Sequence, residues 1–390
     1  MKTTESYDEI KPLNELCKAG KLFEVQDWLK DGRPVNVKQP EKGNRRRSPL
    51  EIAIERGFHS LVQVLLEAGA VTADNRYNAL EDAVDKKRLD IIKLLIVHGA
   101  NLKSVEMFNV FLTWDPAIME YFIEQGADVE TGYPLACAFC ERIRSALGVY
   151  NRHKDRFPSF KEQANIALRY HCKEGNLKWV SLMLWLGADP YAPGLELDDL
   201  FRELDPEEEI WCALEYAASH RNYEIFKLKQ IKLDPQSRIA TELLGSACFS
   251  KDSGFLKLLL ENNFKPEECE EEGTFLIQRC LRSLEDFWDY MSGHGPARNL
   301  DTEKSREKMK MIHLLAKNGA KWKPQDKSII KDARQALIKM LPDYTVQFIR
   351  IMAEYKASNR KCIEELIRTP SIKTVISEHR RKVQELLQEL

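Results

Sequence analysis

The sequence has few of the features by which enzymes and membrane proteins are usually recognised. Its 390 residues include only 18 glycines, and none of them belongs to a phosphate-binding loop or a nucleophile elbow. No paired-histidine zinc motif occurs. No stretch approaches the roughly 18 consecutive apolar residues of a membrane-spanning helix. The N-terminus also lacks the apolar core of a secretory signal peptide. These absences predict a protein without catalytic residues, cofactor or membrane association.

Charge and cysteine content narrow the classes further. The chain has 59 basic and 61 acidic residues, a balance that is not typical of a nucleic-acid-binding protein. Its nine cysteines are odd in number and scattered, several of them on apolar helix faces. That usage suits a reducing compartment, so we expect a cytoplasmic protein without a disulfide framework.

What the sequence does contain is a recurring Gly-Ala pair at the end of apolar helical runs. The first three glycines, Gly69, Gly99 and Gly126, are 30 and 27 residues apart. A glycine in this place takes the left-handed conformation that ends a helix, because it has no Cβ to clash. A stop signal repeated at this interval indicates one helical unit copied along the chain. The other two pairs are Gly187-Ala188 and Gly319-Ala320.

The unit itself is two antiparallel helices joined by a tight turn. In its first copy, Pro12 is expected to open a short helix, Gly20 breaks it, and a second apolar stripe runs through Trp28 and Leu29. The same arrangement returns after Ser48 and after Asn78.

These phrases resemble the ankyrin repeat, whose first helix opens with Thr-Pro-Leu-His-x-Ala and whose second ends in Leu-Leu-x-x-Gly-Ala. Here the matching residues are Ser48-Pro49-Leu50-Glu51-Ile52-Ala53 and Leu65-Leu66-Glu67-Ala68-Gly69-Ala70, with partial matches at 133–138 and 213–217. The resemblance extends over about 9–325. It implies an all-α solenoid of about 7–9 irregular repeats that works as a non-catalytic protein-binding module.

We divide the chain accordingly. Residues 1–326 are predicted to form the ankyrin-type solenoid, with insertions near 39–47, 143–161 and 287–305. Such insertions map to loops on one face, often the binding face. Residues 327–390 are predicted to form a C-terminal helical capping region, which solenoids require at their ends.

Two parts of this division depart from the regular pattern. The unit at 111–126 looks truncated, because Trp114-Asp115-Pro116 replaces most of its first helix. The final segment, 361–390, has one apolar stripe on a charged helix, interrupted by Pro370. That stripe is expected to shield the last repeat, or else to form a dimer seam or bind a partner helix.

The histidine of the family's opening phrase is replaced by Glu51, Glu81 and Glu215. A Ser or Asn three residues before a glutamate can form a capping box, in which two backbone N–H groups are satisfied reciprocally. We therefore interpret these glutamates as structural.

One cluster has the spacing of a zinc site. Cys137 and Cys140 are followed by His153, and Cys172 could complete a ligand set near His171. The two cysteines lie one turn apart in a predicted first helix, where small apolar residues pack between repeats, so we expect core cysteines and no metal. An unrecognised active site at 137–172 is the enzyme alternative.

Basic loops give the other alternative, a nucleic-acid-binding subunit. Arg45, Arg46 and Arg47 lie in the first insertion, and a second basic group surrounds the insertion at 143–161. Phosphate contacts are conceivable for such loops, but aromatic residues for base stacking are sparse. The second group comprises Arg142, Arg144, Arg152, Lys154 and Arg156.

The favoured hypothesis is a binding surface for a protein partner. Residues just before each first helix should lie at loop tips flanking the concave face, where aromatic and arginine side chains are typical anchors. The partner-binding residues predicted in this way are Arg46, Arg76, Tyr77, Tyr133 and Trp211. A scaffold, an inhibitor and an immunity-type protein are all compatible with this surface.

Overall fold

We describe the chain from a computed structural model, over residues 3–201, 210–266, 276–283, 303–339, 342–368 and 370–390. The described residues divide into two compact units. The first unit comprises Met1–His171 and Lys178–Ile210, and the second comprises Cys172–Leu177 and Trp211–Leu390. Nearly all regular structure in both is α-helical. Within these residues, none of the helices has the length and apolar character needed to span a bilayer.

Short helices arranged in consecutive pairs build the first unit. In the last pair, formed by α11 and α12, the end of α11 and the turn that follows it (Cys172–Leu177) belong to the second unit. The helices are α1 (Tyr7–Lys18), α2 (Leu22–Lys30), α3 (Pro49–Arg56), α4 (His59–Glu67), α5 (Ala79–Asp85), α6 (Leu89–Val97), α7 (Met107–Leu112), α8 (Pro116–Glu124), α9 (Pro134–Cys140), α10 (Ser145–His153), α11 (Ser159–Glu174) and α12 (Leu177–Trp185).

The pairs stack in sequence order. The first helices pack against one another from α1 to α3, α5, α7 and α9, and the second helices pack from α2 to α4 and α6. Two short strand pairs accompany the loops. Strand β1 (Thr3–Thr4) runs parallel to β2 (Asn36–Val37), with Thr3 opposite Asn36, and β3 (Ala73–Asp74) is antiparallel to β4 (Tyr77–Asn78), with Asp74 opposite Tyr77. The first unit is therefore a layered stack, with the apolar faces of each pair buried against the next.

Local sequence signals set the helix ends. All five glycines of the Gly-Ala pairs adopt positive φ, from 84° at Gly126 to 98° at Gly319, which confirms their predicted role as helix stops. At the start of α3, the Ser48 hydroxyl accepts a hydrogen bond from the Glu51 amide at 3.1 Å, and Pro49 occupies the first turn. The Glu51 carboxylate does not complete the capping box, because it pairs with Arg45 and Arg47 instead.

Glu215 does form the hydrogen bond of a capping box that Glu51 does not form, in which the glutamate carboxylate accepts from the N-cap amide. At the start of α13 (Ala213–Ser219), Glu215 accepts a hydrogen bond from the amide of the N-cap residue Cys212 at 2.7 Å. Its carboxylate also pairs with Arg238. The third position behaves differently again, since Asn78 caps the Leu80 amide at 3.1 Å while Glu81 is exposed. Two of the three glutamates thus hold helix-start or loop contacts, as the structural interpretation expected.

The structure corrects three boundaries. Helix α1 begins at Tyr7, so Pro12 lies inside it rather than opening it. The residues around Trp114 do not replace a first helix, because α7 is present upstream as a short helix. The predicted insertion at 143–161 contains α10, which packs on α8 and α9 as the second helix of a pair. Its buried apolar residues, which include Val149 and Tyr150, recur at helical spacing between arginines and lysines that resemble a loop in the sequence.

The second unit continues with helices throughout. Helices α13, α14 and α15 pack in order, α17 packs on α19, and α22 packs on α19 and α20. The predicted insertion at 287–305 lies outside the described residues as far as 302. After α13 (Ala213–Ser219) the helices are α14 (Ala240–Cys248), α15 (Gly254–Glu261), α16 (276–283), α17 (Glu303–Lys317), α18 (Lys327–Lys339), α19 (Pro342–Glu354), α20 (Arg360–Ile367), α21 (Pro370–Val375) and α22 (Arg380–Glu389).

The final segment is three helices rather than one interrupted at Pro370, since a further break separates α21 from α22. Its apolar stripe is used inside the chain. Val383 and Leu386 on α22 are buried, as are Ile372 and Ile376 around α21. These buried residues accompany the packing of α22 on α19 and α20, and the role of the segment as a cap stays a prediction.

Candidate binding site

A groove of about 860 Å³ opens in the first unit beside the first helices α7 and α9. Its walls come from the segment that enters α7, the loop between α8 and α9, one side of α9 and a residue of the loop after α12. Lining residues on the first of these are Leu102, Lys103, Val105, Glu106, Met107 and Phe108, and on the others Gly126, Ala127, Asp128, Thr131, Gly132, Pro134, Cys137, Glu141 and Leu197.

The floor of the groove is apolar and its rim is charged. Val105, Met107 and Pro134 are buried, and Phe108 and Leu197 are half-buried. The rim carries exposed side chains, namely Lys103, Glu106, Asp128 and Glu141. Apolar walls with a few convergent polar groups are typical of binding clefts.

Hydrogen bonds within the loop at 126–134 give that wall of the groove a defined shape. One Asp128 carboxylate oxygen accepts from the amides of Glu130 at 2.9 Å and Thr131 at 3.0 Å. These bonds, the one from Thr131 first, hold the pKa of Asp128 below its usual range, so the side chain is an anion at neutral pH. Gly132 and Tyr133 then follow with φ of 72° and 52°, both left-handed, and turn the chain into α9.

A buried glutamine fixes the start of α9. Gln163 on α11 has no exposed surface, and its Oε1 accepts from the amides of Leu135 at 2.8 Å and Ala136 at 3.2 Å. Its Nε2 donates to the Val129 carbonyl at 2.8 Å. Tyr133, the residue in the N-cap position, supplies no side-chain cap, so Gln163 satisfies these helix-start amides from the next pair. Sequence reasoning missed Gln163, because its signal is tertiary.

A buried arginine fixes the loop that brings Leu197 to the groove. Arg169 on α11 is fully buried and donates to the carbonyls of Leu195 at 2.8 Å and Ala192 at 3.1 Å. Its guanidinium also pairs with Glu162, and it lies so close to Gly194 that a Cβ there would be 2.6 Å from Nη2. A side chain at this position would therefore force the buried Arg169 guanidinium or the loop to shift.

Cys137 is the one half-exposed cysteine among those that the structure describes, and it lines the groove. Burial raises the pKa of its thiol, so it is neutral at physiological pH. Cys140, one turn on, is buried, as is the thiol of Cys172. Cys140 is thus a core residue as expected, whereas the expectation of a core position was wrong for Cys137, because its side of α9 faces the groove.

The histidines of the candidate zinc cluster face other partners. His153 Nε2 lies 2.6 Å from a Glu120 carboxylate oxygen, and His171 Nε2 lies 3.1 Å from the Phe139 carbonyl. Across the part of the chain that is described, no three His, Cys, Asp or Glu side chains gather where they would hold a metal ion.

Two predicted partner-binding arginines hold the loop at 39–47 in place. Arg46 donates to the carbonyls of Glu5 at 2.6 Å and Lys38 at 3.1 Å. Arg76 donates to the carbonyls of Gly43 at 2.9 Å and Glu41 at 3.1 Å. The structure therefore brings these two residues to one loop, where Nη1 of Arg46 and both Nη atoms of Arg76 donate to backbone carbonyls.

Tyr77 lies in the same region and is half-buried. Its hydroxyl donates to Asp82 at 3.1 Å, and the Arg45 guanidinium lies over its ring at 4.3 Å. Burial raises the pKa of Tyr77, so its hydroxyl stays protonated. Arg45 and Arg47 of the basic loop pair with Glu51 and Glu55, which balances the charge of these two arginines.

The remaining two predicted residues lie apart from this group. Tyr133 directly precedes Pro134 at the groove and is half-buried. Trp211 belongs to the second unit, where its ring meets that of Tyr216 edge-on at 5.4 Å.

Comparisons with known proteins bear on the repeat. A family model described as ankyrin repeats, in three copies, matches residues 13–106. Over 201 residues the chain is 23% identical to the ankyrin repeat and KH domain-containing protein mask-1 of Caenorhabditis elegans, covering 48% of this chain and 7% of that protein. Over 110 residues it is 32% identical to a putative ankyrin repeat protein of fowlpox virus, covering 27% and 16% respectively. The chain thus spans a small part of each curated relative.

Solved structures similar to this chain include two ankyrin repeat domains. That of human ASB11 is 18% identical, with a TM-score of 0.38, over 50% of this chain and 93% of that one. That of Bcl-3 is 19% identical, with a TM-score of 0.40, over 56% and 98%.

Ankyrin repeats generally serve as protein-binding modules rather than as catalysts. The matched repeats at 13–106 coincide with the stacked pairs from α1 to the segment entering α7, and the glycine helix stops continue beyond them. The chain thus contains ankyrin repeats over residues 13–106, within an all-α stack of helix pairs.

Proposed function

We propose that the first unit binds an exposed segment of a protein partner in the groove between α7, α9 and the loop at 126–134. The observation that carries this proposal is a cleft of about 860 Å³ with an apolar floor and a charged rim. Side chains from the neighbouring pair support its walls, so the cleft is formed before a partner arrives. A preformed site loses less conformational entropy on binding than a flexible one.

We further propose that loop tips of each unit, taken separately, add contacts with a partner. Tyr133 adjoins the groove, and Tyr77 presents one half-buried ring. Arg46 and Arg76 contribute by holding their loop rather than as free donors, and Trp211 offers an aromatic anchor on the second unit. The role is non-catalytic, as a scaffold, inhibitor or immunity-type protein. The eight described cysteines are free thiols, which supports a reducing location such as the cytoplasm.

The groove can be blocked by chemical modification of a single atom, the Cys137 sulfur. Cys269 lies outside the described residues and is replaced by serine in every variant. A bulky, uncharged maleimide then reacts at Cys137, because the other described cysteines are buried. Complete modification is checked by intact mass. We expect partners recovered from a lysate of the source cell to be lost once the groove carries the adduct.

The matched control is Cys137→Ser treated with the same reagent, which should keep its partners. Recovery of the same partners by fully modified protein would refute the groove as the binding site. The loop-tip contribution is tested separately with Tyr77, Tyr133 and Trp211 all changed to alanine. Undiminished recovery by that variant would remove the tips from the interface.

A further inference from the structure

The rim of the groove has an unbalanced charge. Its lining residues include three carboxylates, Glu106, Asp128 and Glu141, against the single ammonium of Lys103, a formal charge of −2. Lys103 acts electrostatically on Asp128 and helps to hold the pKa of that carboxyl below its usual range. The positive charge of Lys103 is thus already partly balanced by Asp128. Most of the excess negative charge of the rim therefore belongs to Glu106 and Glu141.

These two carboxylates differ from others in the same unit. Glu51 pairs with Arg45 and Arg47, and Glu120 pairs with Arg152. Glu106 and Glu141 are exposed, and neither forms an ion pair with another described residue. The carboxylates of this unit that are balanced internally pair with an arginine, a lysine or a histidine, whereas these two at the groove do not.

The end of the groove at Glu141 is the more negative one. Glu141 is the C-cap residue of α9, where the backbone carbonyls that end the helix carry a partial negative charge. Burial raises the pKa of the nearby Cys140 thiol, and the charges of Glu196, Glu141 and Asp198 raise it further. A cationic side chain arriving here would meet Glu141 and the carbonyls that end α9.

From this placement we propose that the groove takes a basic and apolar peptide segment, with aliphatic or aromatic side chains on the floor and lysine or arginine side chains against Glu106 and Glu141. The proposal rests on the groove's being the binding site and adds the chemistry of the partner. Electrostatic complementarity of this kind sets partner choice more than affinity. The same charge repels phosphates, so a nucleic acid is not the occupant of this groove.

The test is a selection from a display library of short random peptides on the full chain, with Cys269→Ser as background. Peptides that the Cys137 adduct displaces are sequenced. We expect lysine and arginine to be enriched next to apolar residues, and aspartate and glutamate to be depleted. A displaced pool with no cationic enrichment would overturn the basic-peptide proposal while leaving the groove as a binding site. An absence of any displaced peptide would overturn both.

Charge-neutralising variants then locate the contacts on the groove. Glu106→Gln and Glu141→Gln should each weaken a selected peptide about two- to fivefold, the range expected for one exposed ion pair. Asp128→Asn keeps the acceptor for the loop amides and should weaken the peptide less, because Lys103 already matches part of the Asp128 charge. The matched control is Glu124→Gln, an exposed carboxylate on α8 outside the groove, which should change nothing.

Salt provides an independent readout. Raising salt from about 0.1 M to about 1 M shortens the screening length from about 10 Å to about 3 Å. Peptide affinity of the unaltered chain should fall over this range, and that of the Glu106→Gln, Glu141→Gln double variant should fall less. Equal salt sensitivity of the two proteins would contradict the assignment of the cationic contacts to these carboxylates.

Discussion

A buried histidine makes the stability of the first unit sensitive to mild acid. His171 on α11 has no exposed surface, and its ring stacks on Trp179 at 5.4 Å with an interplanar angle of 26°. Nε2 lies 3.1 Å from the Phe139 carbonyl, while Nδ1 has no hydrogen-bond partner among the described residues. Burial lowers the pKa of His171 from 6.5 to about 4, because charging the ring here would cost its solvation.

The sign of the effect follows from that lowered pKa. The folded state holds the neutral ring, whereas the unfolded chain takes up a proton once the pH falls below about 6.5. Stability supplied by the neutral ring is therefore complete above pH 6.5 and is lost progressively as the pH falls toward 4. At about pH 5 the loss amounts to about 2 kcal/mol, and the whole shift is worth about 3 kcal/mol.

The variant that isolates this effect is His171→Phe. Phenylalanine keeps an aromatic ring against Trp179 and cannot take up a proton. The Phe139 carbonyl, which loses the histidine as a partner, still accepts a hydrogen bond from the Arg142 amide at 2.9 Å. We expect the two proteins to differ by less than about 1.5 kcal/mol at neutral pH. Between about pH 7.5 and pH 5, the variant should gain about 2 kcal/mol relative to the unaltered chain.

The assay is urea unfolding followed by tryptophan fluorescence at both pH values, with hydrogen exchange of the α11 amides as the local readout. His98→Phe, the same substitution at an exposed histidine, is the control and should show no such relative gain. If the stability difference between the unaltered chain and His171→Phe is the same at both pH values, the reasoning from burial is refuted.

Three further substitutions test other contacts. Gln163→Met leaves two helix-start amides and a carbonyl without their partner and should cost about 3 kcal/mol in urea unfolding, whereas an unchanged midpoint would show that the cap is dispensable. Gly194→Ala forces a Cβ against the buried Arg169 guanidinium and should cost about 2 kcal/mol, and a crystal structure with Arg169 unmoved at full stability would contradict this. Lys87→Gly relieves a left-handed lysine with φ of 54° at an exposed turn, the position that Gly57 occupies in an earlier pair. It should raise stability by about 1 kcal/mol, and a lower melting temperature would argue against strain there.

The repeat was predictable because its signals are local. A glycine at 69, 99 or 126 ends a helix through its own backbone freedom, and Ser48 with Pro49 starts one, whatever lies next to them. Helix α10 was not predicted, because the signal for it is not local. Its arginines and lysines dominate the local pattern, and only packing on α8 and α9 shows that the residues between them form a buried face.

The site was less predictable, because its residues are joined across pairs. Gln163 on α11 caps the start of α9, and the residues next to it in the sequence do not indicate that role. Arg46 and Arg76 have the residue types of binding anchors, yet their donors are used by loop carbonyls 8 to 41 positions away. A sequence shows the type and spacing of polar side chains, but not which of them the fold satisfies internally.

The amino-acid sequence by itself determined the helical unit, its glycine ends and its copying along the chain, since each depends on interactions within a few residues. The tertiary structure decided that the cleft beside α7 and α9 has an apolar floor, and that Glu106 and Glu141 stand on its rim without an internal cation. The reason is that burial and charge balance depend on every element packed around a group. The nearest residues in sequence specify only part of that environment.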